Sequence, residues 1–223
     1  MQYGGQLEIF NPDLFHTPVH IIGVGASGSW VALMLAKLGV SQIHVWDFDQ
    51  LEDHNLCNQA FKRTQVGQDK VDAVREVCAE MSEIEVIIHH DAVDGNTPLT
   101  GIVFVLTDTM SSRAEIWRGA LKYKANVKLV IETRMGLDMC RIYNVNPTDL
   151  DQIKGYESTF SYDDSQAEVS ACGTSKSVIT SAVTVASIAV RQMLNFINEK
   201  DMPNEIIYDF AFNNYLTTKW NTQ

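Results

Sequence analysis

Cysteine is scarce and scattered in this 223-residue sequence: Cys57, Cys78, Cys140 and Cys172 form no C-x-x-C pair. That spacing argues against a structural zinc site made of two such pairs, so no zinc is expected, and it suits a reducing compartment better than a disulfide framework. Basic residues are few, 17 Lys and Arg against 28 Asp and Glu, giving a formal charge of −11. With no basic stripe to neutralise phosphates, no nucleic-acid partner is expected. The chain opens on no basic-then-apolar leader, and no apolar run approaches membrane-spanning length, so a cytoplasmic protein with no membrane partner is the expectation. There is also no internal repeat.

What is present is concentrated between Val19 and Asp49. An apolar run, Val19 to Ile22, breaks into Gly23-Val24-Gly25-Ala26-Ser27-Gly28, and apolar residues then recur at helical spacing from Trp30 to Leu38. This is G-x-G-x-x-G between a strand and a helix. Gly23 permits the tight turn, Gly25 lets backbone approach a phosphate, and Gly28 lets the helix pack closely on the strand. The helix start offers unpaired N–H groups to an anion. A second strand, Ile43 to Trp46, ends at Asp47 with Asp49 close behind; acids there are placed to accept from ribose hydroxyls. A close-packed β-α-β corner without a ligand is the alternative.

A polar loop, Gln50 to Gln68, is unusually long for a compact α/β unit and so reads as functional. Lys70 lies in the first turn of the next helix, which runs to Met81. A cation is disfavoured there unless an anion joins it; a phosphate would serve, and a solvated surface lysine is the other reading. A third strand is expected over Ile84 to His89. Ile102 to Leu106 reads as a central parallel strand ending at Thr107-Asp108-Thr109, with a helix from Ser111 to Tyr123. Asp108 thus stands at the carboxyl end of a central strand, where it could hold magnesium on phosphates. It could instead cap the following helix, unless Ser111 does so.

Strands are expected at Val127 to Thr133 and Met139 to Val145, an irregular crossover at Thr148 to Ser170, a buried apolar helix from about Ser177 to Ile197, and one closing strand from Ile206 to Leu216. Cys172 precedes the last helix, where a thiolate would be favoured by the dipole; a small buried cysteine is the alternative. The length suits one domain over 1–223. It divides into an N-terminal edge segment (1–17), a nucleotide-binding half (18–136), a crossover (148–171) and a C-terminal helix and strand (172–223).

The ordered set Gly23-x-Gly25-x-x-Gly28, Asp47-Phe48-Asp49, Asn55-Leu56 with Gln59, Val66-Gly67-Gln68-x-Lys70 and Thr107-Asp108 with Arg113 resembles the ThiF/MoeB/HesA adenylyltransferases, relatives of the ubiquitin-activating enzymes, over about Pro18 to Ile197. The resemblance implies an α/β Rossmann-like three-layer fold, with a mixed, mostly parallel N-terminal sheet continuing into antiparallel strands. It implies a homodimer that uses ATP and Mg2+ to adenylate the C-terminal carboxylate of a ubiquitin-like protein or peptide, releasing pyrophosphate. Carried over by position, Gly23, Gly25 and Gly28 wrap the nucleotide and Asp47, with Asp49 beside it, holds the ribose. Asn55, Asn58 and Gln59 belong to the nucleotide loop. Lys70 contacts the phosphates, Asp108 serves the metal or the α-phosphate, and Cys172 lies near the cysteine that some relatives use for a thioester or persulfide.

Asn58 stands where the family pattern has arginine, and no arginine precedes Arg63. Relatives that supply an arginine from the neighbouring subunit's N-terminal segment therefore have no counterpart here. These departures motivate an alternative, a nucleotide-binding pseudo-enzyme subunit that scaffolds a catalytic partner. An NAD-dependent oxidoreductase would fit the glycine fingerprint alone, but Lys70 and Asp108 have no evident purpose in hydride transfer.

Overall fold

The computed structural model describes residues 1–161 and 177–220. One eight-stranded sheet runs through it in the order β3-β2-β1-β4-β5-β6-β7-β8. The strands are β1 (Val19–Ile22), β2 (Ile43–Trp46), β3 (Ile87–His89), β4 (Gly101–Val105), β5 (Val127–Met135), β6 (Met139–Val145), β7 (Glu205–Asp209) and β8 (Asn214–Thr218). β3 through β5 pair in parallel, and β5 through β8 pair antiparallel. Among the described residues there are five α-helices: α1 (Gly28–Leu38), α2 (Lys70–Ser82), α3 (Met110–Ile116), α4 (Leu150–Ser158) and α5 (Ile179–Ile197). α1 packs between α2 and α5 on one face, around Ile21, Val31, Leu35, Val74, Phe104, Val185 and Met193. A second core on the opposite face gathers Ile22, Val103, Val105, Trp117, Tyr143, Ile153 and Tyr156. This is the three-layer architecture the sequence predicts. β4 is buried at all five positions, as a parallel strand covered on both faces must be.

Four elements depart from the sequence reading. The start of the expected crossover loop is helical, because Asp149 caps α4 by accepting from the amides of Asp151 and Gln152 (3.0 and 3.1 Å) while Ile153 and Tyr156 turn into the second core. The closing strand is a hairpin, β7 and β8. Asp209 Oδ1 accepts from the amides of Ala211 and Phe212, and Asn213 takes φ +52°, which turns the chain. The expected helix to Tyr123 keeps α-geometry only to Ile116 and continues as a π-turn over Trp117–Leu121. The third strand is confined to Ile87–His89.

The N-terminal segment is tied to the body through buried Phe10 and Phe15 and through a 3-10 turn at Pro12–Leu14. Among the described residues, no helix is long and apolar enough to cross a membrane.

Three histidines that sequence reading passed over form a ladder across β1, β2 and β3. The His20 and His44 rings stack at 4.6 Å, His44 Nδ1 lies 3.2 Å from His89 Nε2, and the Trp46 ring lies flat on His89 at 3.6 Å. Burial, and then repulsion from His44 and His89, hold the His20 pKa down at about 4. His44 is lowered by burial and by His89, and His89 by burial against partial opposition from Asp91. Between pH 4 and 6.5 the unfolded chain therefore binds more protons at His20 than the folded one. Stability from this site is complete above about pH 6.5 and is lost as pH falls toward 4, a difference of about 3 kcal/mol. An NMR titration should find the His20 ring neutral down to roughly that pH; a midpoint near 6.5 would refute the prediction.

Candidate functional site

The chain leaves β1 toward β2 and β3 on one side, while β4 and β5 lie on the other, so the sheet reverses its strand order between β1 and β4. Crevices at such points, outside the carboxyl ends of the strands, are where α/β sheets bind ligands. The glycine turn sits there. Gly23 has φ +89°, and a Cβ on it would meet the Leu106 carbonyl oxygen at 2.9 Å; a Cβ on Gly28 would lie 1.9 Å from the Gly23 carbonyl oxygen. Both positions require glycine for close packing. Gly25 differs, since a Cβ there would meet nothing within 4 Å, and its bare backbone faces open space.

Asp47 fastens this turn to β2. Its Oδ2 accepts from the amide of Val24 (2.8 Å) and its Oδ1 from that of Asp49 (2.9 Å). Burial raises its pKa against the opposing pull of those amides and of Lys70. Lys70 lies largely buried in the first turn of α2, and its Nζ donates to Asp49 Oδ2 at 2.7 Å. The anion its position calls for is thus supplied by Asp49, and a freely solvated lysine is excluded. The backbone repeats the connection, with the Lys70 amide donating to the Asp49 carbonyl at 2.9 Å.

Asp108 is exposed beyond the end of β4. The cap of α3 is neither Asp108 nor Ser111 but Thr109, whose Oγ1 accepts from the Ser112 amide at 3.2 Å. The carboxylate is therefore not spent on capping. Behind it, buried Arg113 ties the ends of two strands together. Its Nη2 donates to the carbonyls of Thr107 and Thr133, and its Nη1 to that of Asp108 at 3.4 Å. Arg113 Nε lies 3.0 Å from Glu132 Oε1, off the hydrogen-bond axis, so this contact is coulombic. Glu132, fully buried on β5, is also held by a two-pronged contact from Arg134 (2.7 and 3.0 Å) and by the Tyr156 hydroxyl. Burial works against the charge of Arg134, but Glu132 outweighs it and the guanidinium pKa rises. Glu132 escaped the sequence reading because nothing local marks it.

In the nucleotide loop, Asn55 Oδ1 accepts from the Glu52 amide (2.9 Å) and closes a 3-10 turn over Asp53–Cys57. Asn58 is gripped at both ends: its carbonyl accepts from Trp30 Nε1 (2.9 Å), and its Nδ2 donates to Ser177 Oγ (2.5 Å). Next to it, Gln59 Oε1 is buried with no hydrogen-bond partner among the described residues. Cys57 is exposed, whereas Cys78 and Cys140 are buried and their thiols are pushed up to about 12, which leaves them inert. Cys172 falls outside the described residues.

The glycine turn, Asp49 and Asp108 follow the carboxyl ends of three strands, β1, β2 and β4, and Lys70 joins Asp49 from the start of α2, an arrangement of the Rossmann-like class. More narrowly, the chain belongs to the ThiF family, whose model matches residues 8–222. It is 35% identical over 116 residues to the adenylyltransferase and sulfurtransferase MOCS3 of Culex quinquefasciatus, covering 49% of this chain and 25% of that protein. To the ubiquitin-like modifier-activating enzyme 5 of Caenorhabditis elegans it is 30% identical over 73 residues, covering 32% and 17%. The chain thus spans a quarter or less of the length of these curated relatives. Among solved structures, E. coli MccB with ATP superposes with a TM-score of 0.74 at 18% identity, covering 99% of this chain and 69% of that one. PaaA gives 0.71 at 18%, covering 98% and 82%. Identities this low speak for the fold alone.

Proposed function

We propose that this protein is an ATP- and Mg2+-dependent adenylyltransferase that activates the C-terminal carboxylate of a ubiquitin-like protein or peptide. The observation that carries the reading is an exposed Asp108, with no capping duty, at the strand end against which the glycine turn packs. Family membership and the names of MOCS3, of enzyme 5 and of MccB bound to MccA support it. In the reaction an acceptor carboxylate oxygen attacks the α-phosphorus, a new O–P bond forms, the bond to the β-phosphate oxygen breaks, and pyrophosphate leaves. Gly25 would let a phosphate approach the backbone, Asp47 would face the ribose, and Lys70 would turn from Asp49 to the polyphosphate. Magnesium, when bound, would neutralise charge on the phosphates, and Asp108 is the residue to hold it.

Exposed Leu137, Met139 and Phe212 lie at the β5–β6 and β7–β8 turns, which share the carboxyl side of the sheet with Asp108, and exposed Tyr215 follows at the start of β8. We assign this rim to the acceptor's folded body. β7 and β8 stand three and four strands from β4, or roughly 15–19 Å at about 4.8 Å per strand, so an extended tail of about five or six residues spans the gap. Shortening the acceptor tail by two residues should cut its activation by about 100-fold or more, because the carboxylate no longer reaches the phosphorus. Equal rates for full and shortened tails would remove the rim from the reading.

The cation count favours one competing reading. Lys70 is paired with Asp49, Lys62 with Glu80 and Arg134 with Glu132, and Asn58 is neutral, which leaves Arg63 of this loop exposed and in no ion pair among the described residues. A nucleotide-binding subunit that completes its site with another chain would look the same. ATP–pyrophosphate exchange with purified protein, magnesium and candidate acceptors decides: exchange dependent on one acceptor supports the enzyme, and ATP binding without exchange supports the partner subunit.

A further inference from the structure

Asn58 occupies the place of a phosphate-contacting arginine, yet its side chain is already engaged within the protein. Its Nδ2 donates to Ser177 Oγ across 119 positions of sequence (2.5 Å), and its backbone carbonyl accepts from Trp30 Nε1 (2.9 Å). Within two residues of Asn58 the loop makes further bonds: the Gln59 amide donates to the Asn55 carbonyl (3.1 Å), the Ala60 amide to Ser29 Oγ (3.0 Å), and Cys57 Sγ to the His54 carbonyl (3.2 Å). Ser29 and Trp30 belong to the first turn of α1, directly after the glycine turn, and Ser177 lies two residues before α5. Asn58 is therefore the point at which the nucleotide loop, the helix that follows the glycine turn and the entrance to α5 are fastened together. Together with the Ala60–Ser29 bond, this hold fixes the middle of the loop between the 3-10 turns at Asp53–Cys57 and Arg63–Gln65.

An arginine at this position would be ordered by the anion it binds. An asparagine tied to Ser177 is ordered before any anion arrives, so ordering costs less when the nucleotide binds.

We infer that Asn58 is a positioning residue, its amide latched to Ser177 so that the nucleotide loop is set by the protein's own contacts in place of charge on the nucleotide. The inference rests on the adenylyltransferase reading only for its effect on ATP; the latch itself is tested without nucleotide.

Asn58→Ala, Ser177→Ala and the double variant would be compared by hydrogen–deuterium exchange of the nucleotide-free protein. Amides of residues 57–60 should exchange about tenfold faster in either single variant and no faster in the double, the non-additivity of two partners in one contact. ATP affinity, by calorimetry, should fall by about fivefold to tenfold in each single variant, again without further loss in the double. Ser177→Thr, which keeps the hydroxyl, should retain both properties. Unchanged exchange in the single variants would overturn the latch whatever the ATP result. A loss of ATP affinity in Asn58→Ala alone, with Ser177→Ala like wild type, would overturn it in favour of direct contact with nucleotide. Wild-type protein that takes up no ATP while its loop responds as expected would preserve the latch and reject the adenylyltransferase reading.

Discussion

Glu132→Ala should destabilise the protein by about 3–5 kcal/mol, one of the largest stability losses available in this chain. Glu132 is the single carboxylate shared by Arg113, Arg134 and the Tyr156 hydroxyl, and it is fully buried. Its removal leaves two guanidinium groups, Arg113 buried and Arg134 part-buried, with no opposing charge. Arg134 retains the Thr159 carbonyl and hydroxyl (both 2.9 Å) and the face of the Tyr143 ring at 4.5 Å, but none of these carries a full negative charge. Glu132→Gln, which keeps the shape and can still meet Tyr156, should lose less than the alanine variant. Urea unfolding at pH 7 measures both, and an alanine variant within 1 kcal/mol of wild type would show that water or a rearranged partner had replaced the carboxylate. The effect should reach the site as well. Arg113 holds the carbonyls of Thr107, Asp108 and Thr133, so releasing its Glu132 contact loosens the strand end that presents Asp108.

Sequence alone located the parts of the site whose causes are local. Gly23 and Gly28 are needed because backbone atoms stand where a Cβ would be, and a strand breaking into glycines before a helical repeat announces that crowding. Asp108 could be read from its place after an unbroken apolar strand. The contacts that assemble the site are long-range and were not legible. Glu132 and Tyr156 are 24 residues apart, and Asn58 and Ser177 are 119 apart. The histidine ladder likewise depends on register, with Trp46 opposite His89 and His20 opposite His44. α4 was concealed for a different reason: its residues are polar with little periodicity, and only Ile153 and Tyr156 turn into the core, while Gly155 makes room for the Trp220 ring against a helix that Asp149 has already started.

Asp108→Ala should lower ATP–pyrophosphate exchange by about 10²–10³-fold while leaving the melting temperature unchanged. The two halves of this expectation follow from the same placement. The side chain is exposed, and Thr109 caps α3, so truncation at Asp108 removes no packing and uncovers no helix amide. The strand end keeps its position, because Arg113 grips the backbone carbonyl of Asp108 and not its carboxylate. What disappears is negative charge beside the glycine turn, where magnesium on a polyphosphate would be held. Asp108→Asn tests that assignment: it keeps an oxygen ligand but not the charge, so it should need more magnesium to reach half its maximal exchange, and added magnesium should recover part of its rate. An asparagine variant with wild-type rate and magnesium dependence would move the metal-binding role elsewhere. Loss of rate without any magnesium response would place Asp108 at the α-phosphate or the acceptor instead of at the ion.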